Sequence, residues 1–230
     1  MATQDKKHVL GRIKLEGVRL SFADIYKPKS IRRNDGTQSD PKYSANGLIG
    51  KDGKCPETGK ALTAIYQGKR MPIMAALKKA KQDAMAKKLG DDKAATAKVK
   101  PENYCVRDGD LENWDGYEGN YYISGNNSKA PKVVGKDKRP LSPDDGIMFS
   151  GCFVNMVYTL WCQLPGQSQT GDPKPMAVFA SLEALQFVRK GEAFGAAPVD
   201  TDDVFDDITD EDDEIDEEDE ADEGDDSDLL

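Results

Sequence analysis

The chain has little of what most active sites need. There is a single histidine, His8, and four cysteines, Cys55, Cys105, Cys152 and Cys162, none of them in a CxxC pair. Zinc sites take three or four His and Cys ligands, usually in local pairs, so no metal site and no cofactor are expected. His8 stands too near the start of the chain to pair with a cysteine nucleophile. A GxxxxGK[ST] phosphate loop and a GxSxG elbow are both missing, which leaves no nucleophile-and-base set for covalent catalysis. The acidic pairs in "RDGD" (107–110) and at Asp144-Asp145 sit in turn sequences. They read as turn and capping residues rather than as the magnesium ligands of a nuclease. The chain is not expected to be an enzyme.

Other shortages limit the compartment. "MATQDKKHVL" has no apolar h-region, so no signal peptide is expected. Residues 147–171 carry no charge, but they include Ser150, Gly151, Asn155 and Pro165 and alternate with period two, unlike a membrane span. Cys152 and Cys162 fall on one expected strand, where ten residues extend about 33 Å. A disulfide needs Cα atoms within about 7 Å, so the thiols are read as reduced and the protein as cytoplasmic, with no membrane partner.

The strongest shortage is of basic residues at the C-terminus. Residues 200–230 hold 20 of the 42 acidic residues and none of the 32 lysines and arginines. Residues 1–199 therefore carry 22 acidic against 32 basic groups, a net of +10 hidden beneath an overall −10. A polyanion with so little apolar surface is expected to be disordered. Two units follow: a folded body, 1–199, and an acidic tail, 200–230, that closes on Leu229-Leu230.

What is present in the body is mostly β pattern. In "HVLGRIKLEGVRLSF", Val9, Ile13 and Leu15 are apolar at odd positions, and Val18, Leu20 and Phe22 at even ones. The parity changes at Gly17, which marks a β-bulge in a coiled strand. "KYSANGLIGKDG" places Tyr43, Ala45 and Ile49 on one face and Lys42, Ser44 and Asn46 on the other. Residues 71–89 repeat apolar side chains at helical spacing (Ile73, Leu77, Ala80, Ala84) and present Lys78, Lys79, Lys81, Lys87 and Lys88 on the polar face. In "IMFSGCFVNMVYTLWCQL", Cys152, Val154, Met156, Tyr158, Leu160 and Cys162 form one apolar face. Phe153, Asn155, Val157, Thr159 and Trp161 form the other. Residues 176–189 are ambiguous between helix and strand. Five or six strands, glycine bends and one helix point to a small antiparallel barrel.

Lysines and arginines interleaved with aromatics suit single-stranded nucleic acid, whose phosphates follow the cations while bases stack on the rings. Trp114, Tyr117, Tyr121, Phe153 and Trp161 are stacking candidates, with Tyr121, Phe153 and Trp161 preferred. Lys42, Lys51, Arg107, Lys129, Lys132, Lys138 and Arg139 are the phosphate candidates. A flexible polyanion tethered to such a groove can occupy it in cis at high effective concentration. The rival reading is an interaction protein whose tail binds a basic partner in the manner of an acidic chaperone.

Several segments resemble the replicative single-stranded-DNA-binding proteins of tailed bacteriophages. They are "RLSFADIYKPK" (19–29), "KYSANGLIGKD" (42–52), "GYEGNYYISGNNSKAPKVV" and "FSGCFVNMVYTLWC" followed by "FASLEALQFVRKGEAFGAAP" and the acidic tail. The resemblance implies an OB-fold-like barrel with one added amphipathic helix, a strand over 176–189, and ssDNA binding in phage replication or recombination. It implies a tail that contacts replication proteins of phage or host, such as a polymerase or a helicase/primase, here through Asp225, Asp226, Asp228, Leu229 and Leu230. It is compatible with a homodimer through tail exchange. Relatives often end in an aromatic residue, where this chain has Leu229-Leu230.

Overall fold

The computed structural model describes residues 8–32, 36–89, 100–163, 166–167 and 173–194. By contacts the chain divides into a unit Met1–Ala196 and a second, Ala197–Leu230. The second unit, with the expected disordered tail and its candidate partner residues Asp225, Asp226, Asp228, Leu229 and Leu230, lies outside the described residues.

Among the described residues the body is mainly β. In order it runs β1 (His8–Lys29), β2 (Lys42–Gly50), β3 (Thr63–Tyr66), β4 (Lys69–Pro72), α1 (Ile73–Leu89), β5 (Val106–Asp108), β6 (Asn120–Asn127), β7 (Lys132–Val134), β8 (Phe153–Gln163), β9 (Gly166–Gln167), β10 (Pro173–Lys174) and β11 (Ala177–Arg189). One curled sheet runs β5-β6-β2-β1-β8-β11-β7, with β3 and β4 attached to β1; β9 and β10 pair apart from it. The β7–β11 pairing is parallel, so the sheet is mixed rather than purely antiparallel. No helix among the described residues is long and apolar enough to cross a membrane.

The 22-residue β1 serves three neighbours. Its first half pairs with β8 and β3 and its second half with β2. Pairing with β8 slips between Leu15 and Val18, at the glycine where the apolar parity changes. The slip keeps Ile13, Leu15, Val18 and Leu20 all buried. A second slip, between Val9 and Gly11, puts Leu10 in the core and leaves Val9 56% exposed, against the odd-position expectation. Phe22 also departs from its expected face. Its φ is +47°, a region that bulky residues enter at about 1–3 kcal/mol, and its ring is 47% exposed.

On β8 the expected core face is buried throughout: Val154, Met156, Tyr158, Leu160 and Cys162. Each fully buried aliphatic or aromatic side chain contributes about 1.5–3 kcal/mol, and β11 adds Val178, Leu182 and Leu185 to the same cluster. Local propensity left 176–189 open; burial of alternate residues against β8 decides for a strand. In β2, Asn46 is buried rather than solvated, because its Nδ2 donates to Tyr117 Oη at 2.8 Å. The helix starts two residues later than expected, since Lys69–Pro72 pairs with β3. It buries Ile73, Ala76, Leu77, Ala80 and Ala84. All four cysteines are buried, and burial pushes the Cys105 thiol up to about 12.

The sheet curls until β6 faces β11, and hydrogen bonding does not close it into a ladder there. The seam is held instead by Asn127 Nδ2, which donates to Leu182 O at 3.0 Å, and by a bridge between Tyr104 and Val178. The result is an OB-like barrel left open at one seam. Gly125 permits the approach. A Cβ there would lie 2.3 Å from the ring of the fully buried Tyr158 and 3.2 Å from Ala180 O. Gly125→Ala is expected to cost about 1–3 kcal/mol, the range of core overpacking, read as a lower urea midpoint at unchanged m. An unshifted midpoint would mean the seam is slack.

Candidate nucleic-acid interface

β8 and β11 are antiparallel, and side chains opposite each other in register share a face. On the face turned away from the core, Trp161 lies opposite Val9 on one side and Phe179 on the other. The rings of Trp161 and Phe179 stack, with centroids 4.5 Å apart and planes at 27°. Trp161 Nε1 donates to Ser181 Oγ at 3.1 Å, which fixes the indole. One register step along, Arg12 and Ser181 flank Thr159, and Arg12 is exposed.

Seam closure brings the end of β6 to this aromatic pair. A hollow of about 270 Å³ is lined by Lys42, Asn126, Asn127, Ser128, Trp161, Phe179, Ala180 and Ser181. Exposed Lys129 follows directly, its backbone N–H donating to Asn127 Oδ1 at 3.1 Å. Amide and hydroxyl groups, two stacked rings and cations at the rim have the chemistry that a flat base and its phosphate require.

The structure therefore gathers two of the expected residues, Lys42 and Trp161, at one hollow, with Lys129 next to it in the chain. Lys132 opens β7, paired opposite Ala184 of β11. Lys138 and Arg139 are exposed in the following loop, where Lys138 has φ +68° and Arg139 pairs with Asp137 at 3.0 Å. The remaining residues lie elsewhere. Tyr121 is six residues up β6 from Asn127, roughly 20 Å away. Near it, Lys51 Nζ stands 5.5 Å from the Tyr121 ring and is tied to Asp108 at 2.7 Å and to Asp110. Its hydrogen bonds to these two carboxylates raise its pKa further above the ordinary lysine value. Arg107 is exposed on the edge strand β5, opposite Tyr122.

Phe153 requires a correction. It was expected on the open face of β8, but only 1% of it is exposed. The Arg189 guanidinium covers it at 3.5 Å from the ring centre, itself held by Glu57 at 2.6 Å. At the strand's first position, the following chain folds back over this side: Gly191 approaches so closely that an added Cβ would sit 2.8 Å from the ring. No ring face is left for a base. Tyr117 is likewise buried, at 1% exposure, with its hydroxyl donating to Ser21 Oγ at 3.2 Å. Phe179, Arg12 and Ser181 were missed. Alternation within "VFASL" would have found Phe179 and Ser181 had the segment been read as a strand on local grounds.

The acidic pairs cap turns. Asp108 Oδ1 accepts from Asp110 N at 3.1 Å, and Ser142 and Asp145 form a capping box. Among the described residues, no group of three or more His, Cys, Asp or Glu side chains is placed to hold a metal ion.

Residues 11–216 match the family described as Enterobacter phage Enc34, ssDNA-binding protein. A putative protein, p50, of Acyrthosiphon pisum secondary endosymbiont phage 1 is 31% identical over 202 residues, covering 86% of this chain and 94% of that protein. The solved structure of the single-stranded DNA-binding protein from bacteriophage Enc34 in complex with ssDNA superposes with a TM-score of 0.57 at 25% identity, over 85% of this chain and 97% of that one. A structure of the same Enc34 protein covers 90% of this chain and 97% of that one, with a TM-score of 0.56 at 25% identity. With the family match spanning most of its length, the chain belongs to the Enc34 family of phage single-stranded-DNA-binding proteins.

Proposed function

We propose that the chain is a non-enzymatic protein that binds single-stranded DNA without sequence preference during phage DNA replication or recombination, in the host cytoplasm. The observation that carries this reading is the stacked Trp161–Phe179 pair beside Lys42, Asn126, Asn127 and Ser128. Bases lie on the two rings, which accept any base because every base has a π-face. Lys42, Arg12 and Lys129 take the neighbouring phosphates. Lys132, Lys138 and Arg139 extend the phosphate track along the β7 side. Lys51, Arg107 and Tyr121 belong to a separate region and contact DNA only if the strand continues around the barrel.

The acidic tail takes two roles in this proposal. Its 20 carboxylates compete with DNA for the cationic groove, at the millimolar effective concentration that a short tether provides. Once DNA displaces it, the tail is available to replication proteins, with Leu229 and Leu230 as its apolar end and Asp225, Asp226 and Asp228 beside them. Exchange of tails between two copies gives a homodimer.

Trp161→Ala and Phe179→Ala are each expected to weaken ssDNA binding by about 1–3 kcal/mol, roughly five- to 150-fold, without unfolding the protein. Phe153→Ala is expected to lower stability by about 3–5 kcal/mol, as for a buried aromatic. If both outer rings can be removed from a folded protein with no change in affinity, the groove lies elsewhere.

Shortening the chain to end at Val199 is expected to tighten ssDNA binding at low salt, with the gap closing as salt rises. The logarithm of the affinity of the shortened chain should fall with log[salt] at a slope of about −0.7 per phosphate neutralised. Equal affinities at every salt concentration would remove the tail from the groove and leave it to partners alone. A body that ignores DNA would favour the acidic-chaperone reading instead.

A further inference from the structure

A second exposed aromatic group lies on the body, and its surroundings carry the opposite charge. Phe22 and Trp114 meet edge to face, with centroids 4.9 Å apart at 71°. They are 47% and 42% exposed, and nearby in the chain Leu111 is 80% exposed. Trp114 also packs on Tyr117, at 5.0 Å, whose buried hydroxyl network anchors it to β1 and β2. The aromatic platform therefore rests on the core and does not hang from a loose loop. Phe22 is turned outward by its positive φ, at the point where the β1–β2 register shifts.

The rim of this platform is acidic. An open hollow of about 510 Å³ beside Trp114 is lined by Asp110, Glu112, Asn113, Asp115 and Glu118. The segment 108–118, "DGDLENWDGYE", carries five carboxylates and no lysine or arginine, while the remainder of residues 1–199 has 17 acidic against 32 basic groups. Three of the five are engaged internally: Asp108 and Asp110 pair with Lys51, and Glu112 accepts from the Tyr122 hydroxyl at 2.5 Å. Asp115 and Glu118 are exposed and directly follow Trp114 and Tyr117 in sequence.

We infer that Phe22, Leu111 and Trp114, with Glu112, Asp115 and Glu118, form a protein-docking surface for a basic segment of a partner protein that carries one aromatic or aliphatic anchor. Exposed aromatics at a rigid site supply the buried centre of small interfaces. Carboxylates at the rim select lysine and arginine and repel phosphates, so the surface discriminates against nucleic acid. An arginine or lysine beside the anchor also finds the face of Trp114. The body would then hold DNA at Trp161 and a partner at Trp114 at the same time, and this contact does not depend on the tail.

The test follows the indole N–H resonance of Trp114 in the ¹⁵N-labelled full chain, assigned by its loss in Trp114→Phe. The probe is a synthetic peptide of lysines and arginines around one central phenylalanine, in excess over all acidic sites. Its control has serine in place of the phenylalanine. The expected result is a saturable shift of the Trp114 indole with the phenylalanine peptide and little with the control. Asp115→Lys with Glu118→Lys should weaken that response about tenfold or more, in a protein whose spectrum remains dispersed and whose affinity for oligo-dT is not reduced. Three results would overturn the inference: an indole that the peptide never moves, one that oligo-dT moves as strongly as the peptide, or one that moves on dilution of the protein alone. The second would place Trp114 in the DNA path, and the third would show a second copy on the patch.

Discussion

The constraint on which the proposed site depends is the seam where Gly125 of β6 faces the Tyr158 ring and the backbone of Ala180. Strands β6 and β11 share no hydrogen-bonded ladder, so their separation is set by this packing and by the Asn127 amide on Leu182 O. Everything proposed for DNA depends on it. Trp161 and Phe179 are held by β8 and β11, whereas Asn126 and Asn127 come from β6, Ser128 from the residue after it and Lys42 from β2. If the seam widened by one side-chain layer, the rings would remain but the polar wall and Lys42 would leave them. Stability and binding are therefore coupled through one small residue, and the glycine is needed for space, since no positive φ is involved at that position.

Net charge alone says little about where DNA goes. The +10 of residues 1–199 is spent partly on local pairs: Lys51 with Asp108 and Asp110, Lys29 with Asp24, and Arg139 with Asp137. Exposed pairs of this kind add little stability, about 0–1 kcal/mol, but they lower the positive potential available to a phosphate. Lys42 and Lys129 gain their relevance from the rings and amides beside them.

Much of the fold was legible because burial leaves a period-two mark. The alternation on β8 named its core face residue by residue, and the parity change at Gly17 located the bulge in β1. The helix was legible from its spacing, apart from its first turn, where pairing of Lys69–Pro72 with β3 overrode the local pattern. The site was legible only in part. Alternation gives the side of a strand on which a ring lies, yet not whether another segment covers that side. Trp161 and Phe153 share a face of β8 by parity, but Arg189 at the end of β11 and Gly191 just beyond it cover Phe153 alone. Phe179 stayed hidden because a helix and a strand were equally compatible with 176–189, and only pairing with β8 separates them. The grouping of Lys42 with Trp161 spans 119 positions in sequence and follows from seam closure, which no local pattern encodes.

The two exposed aromatic pairs also show why composition could not separate a DNA surface from a protein surface. Each pairs a tryptophan with a phenylalanine, and each tryptophan is held by a further contact, Trp161 by the Ser181 hydroxyl and Trp114 by the buried Tyr117 ring. Hydrophobic contact energy scales with area and would treat them alike. The rims differ: Arg12, Lys42 and Lys129 near Trp161, and Glu112, Asp115 and Glu118 near Trp114. Since a nucleic acid presents a phosphate with every base, binding a base brings its charge to the rim. At a cationic rim that charge adds to stacking, and at an anionic one it subtracts. The sign of a few flanking side chains is therefore the ground on which one aromatic platform is proposed for DNA and the other for a basic protein segment.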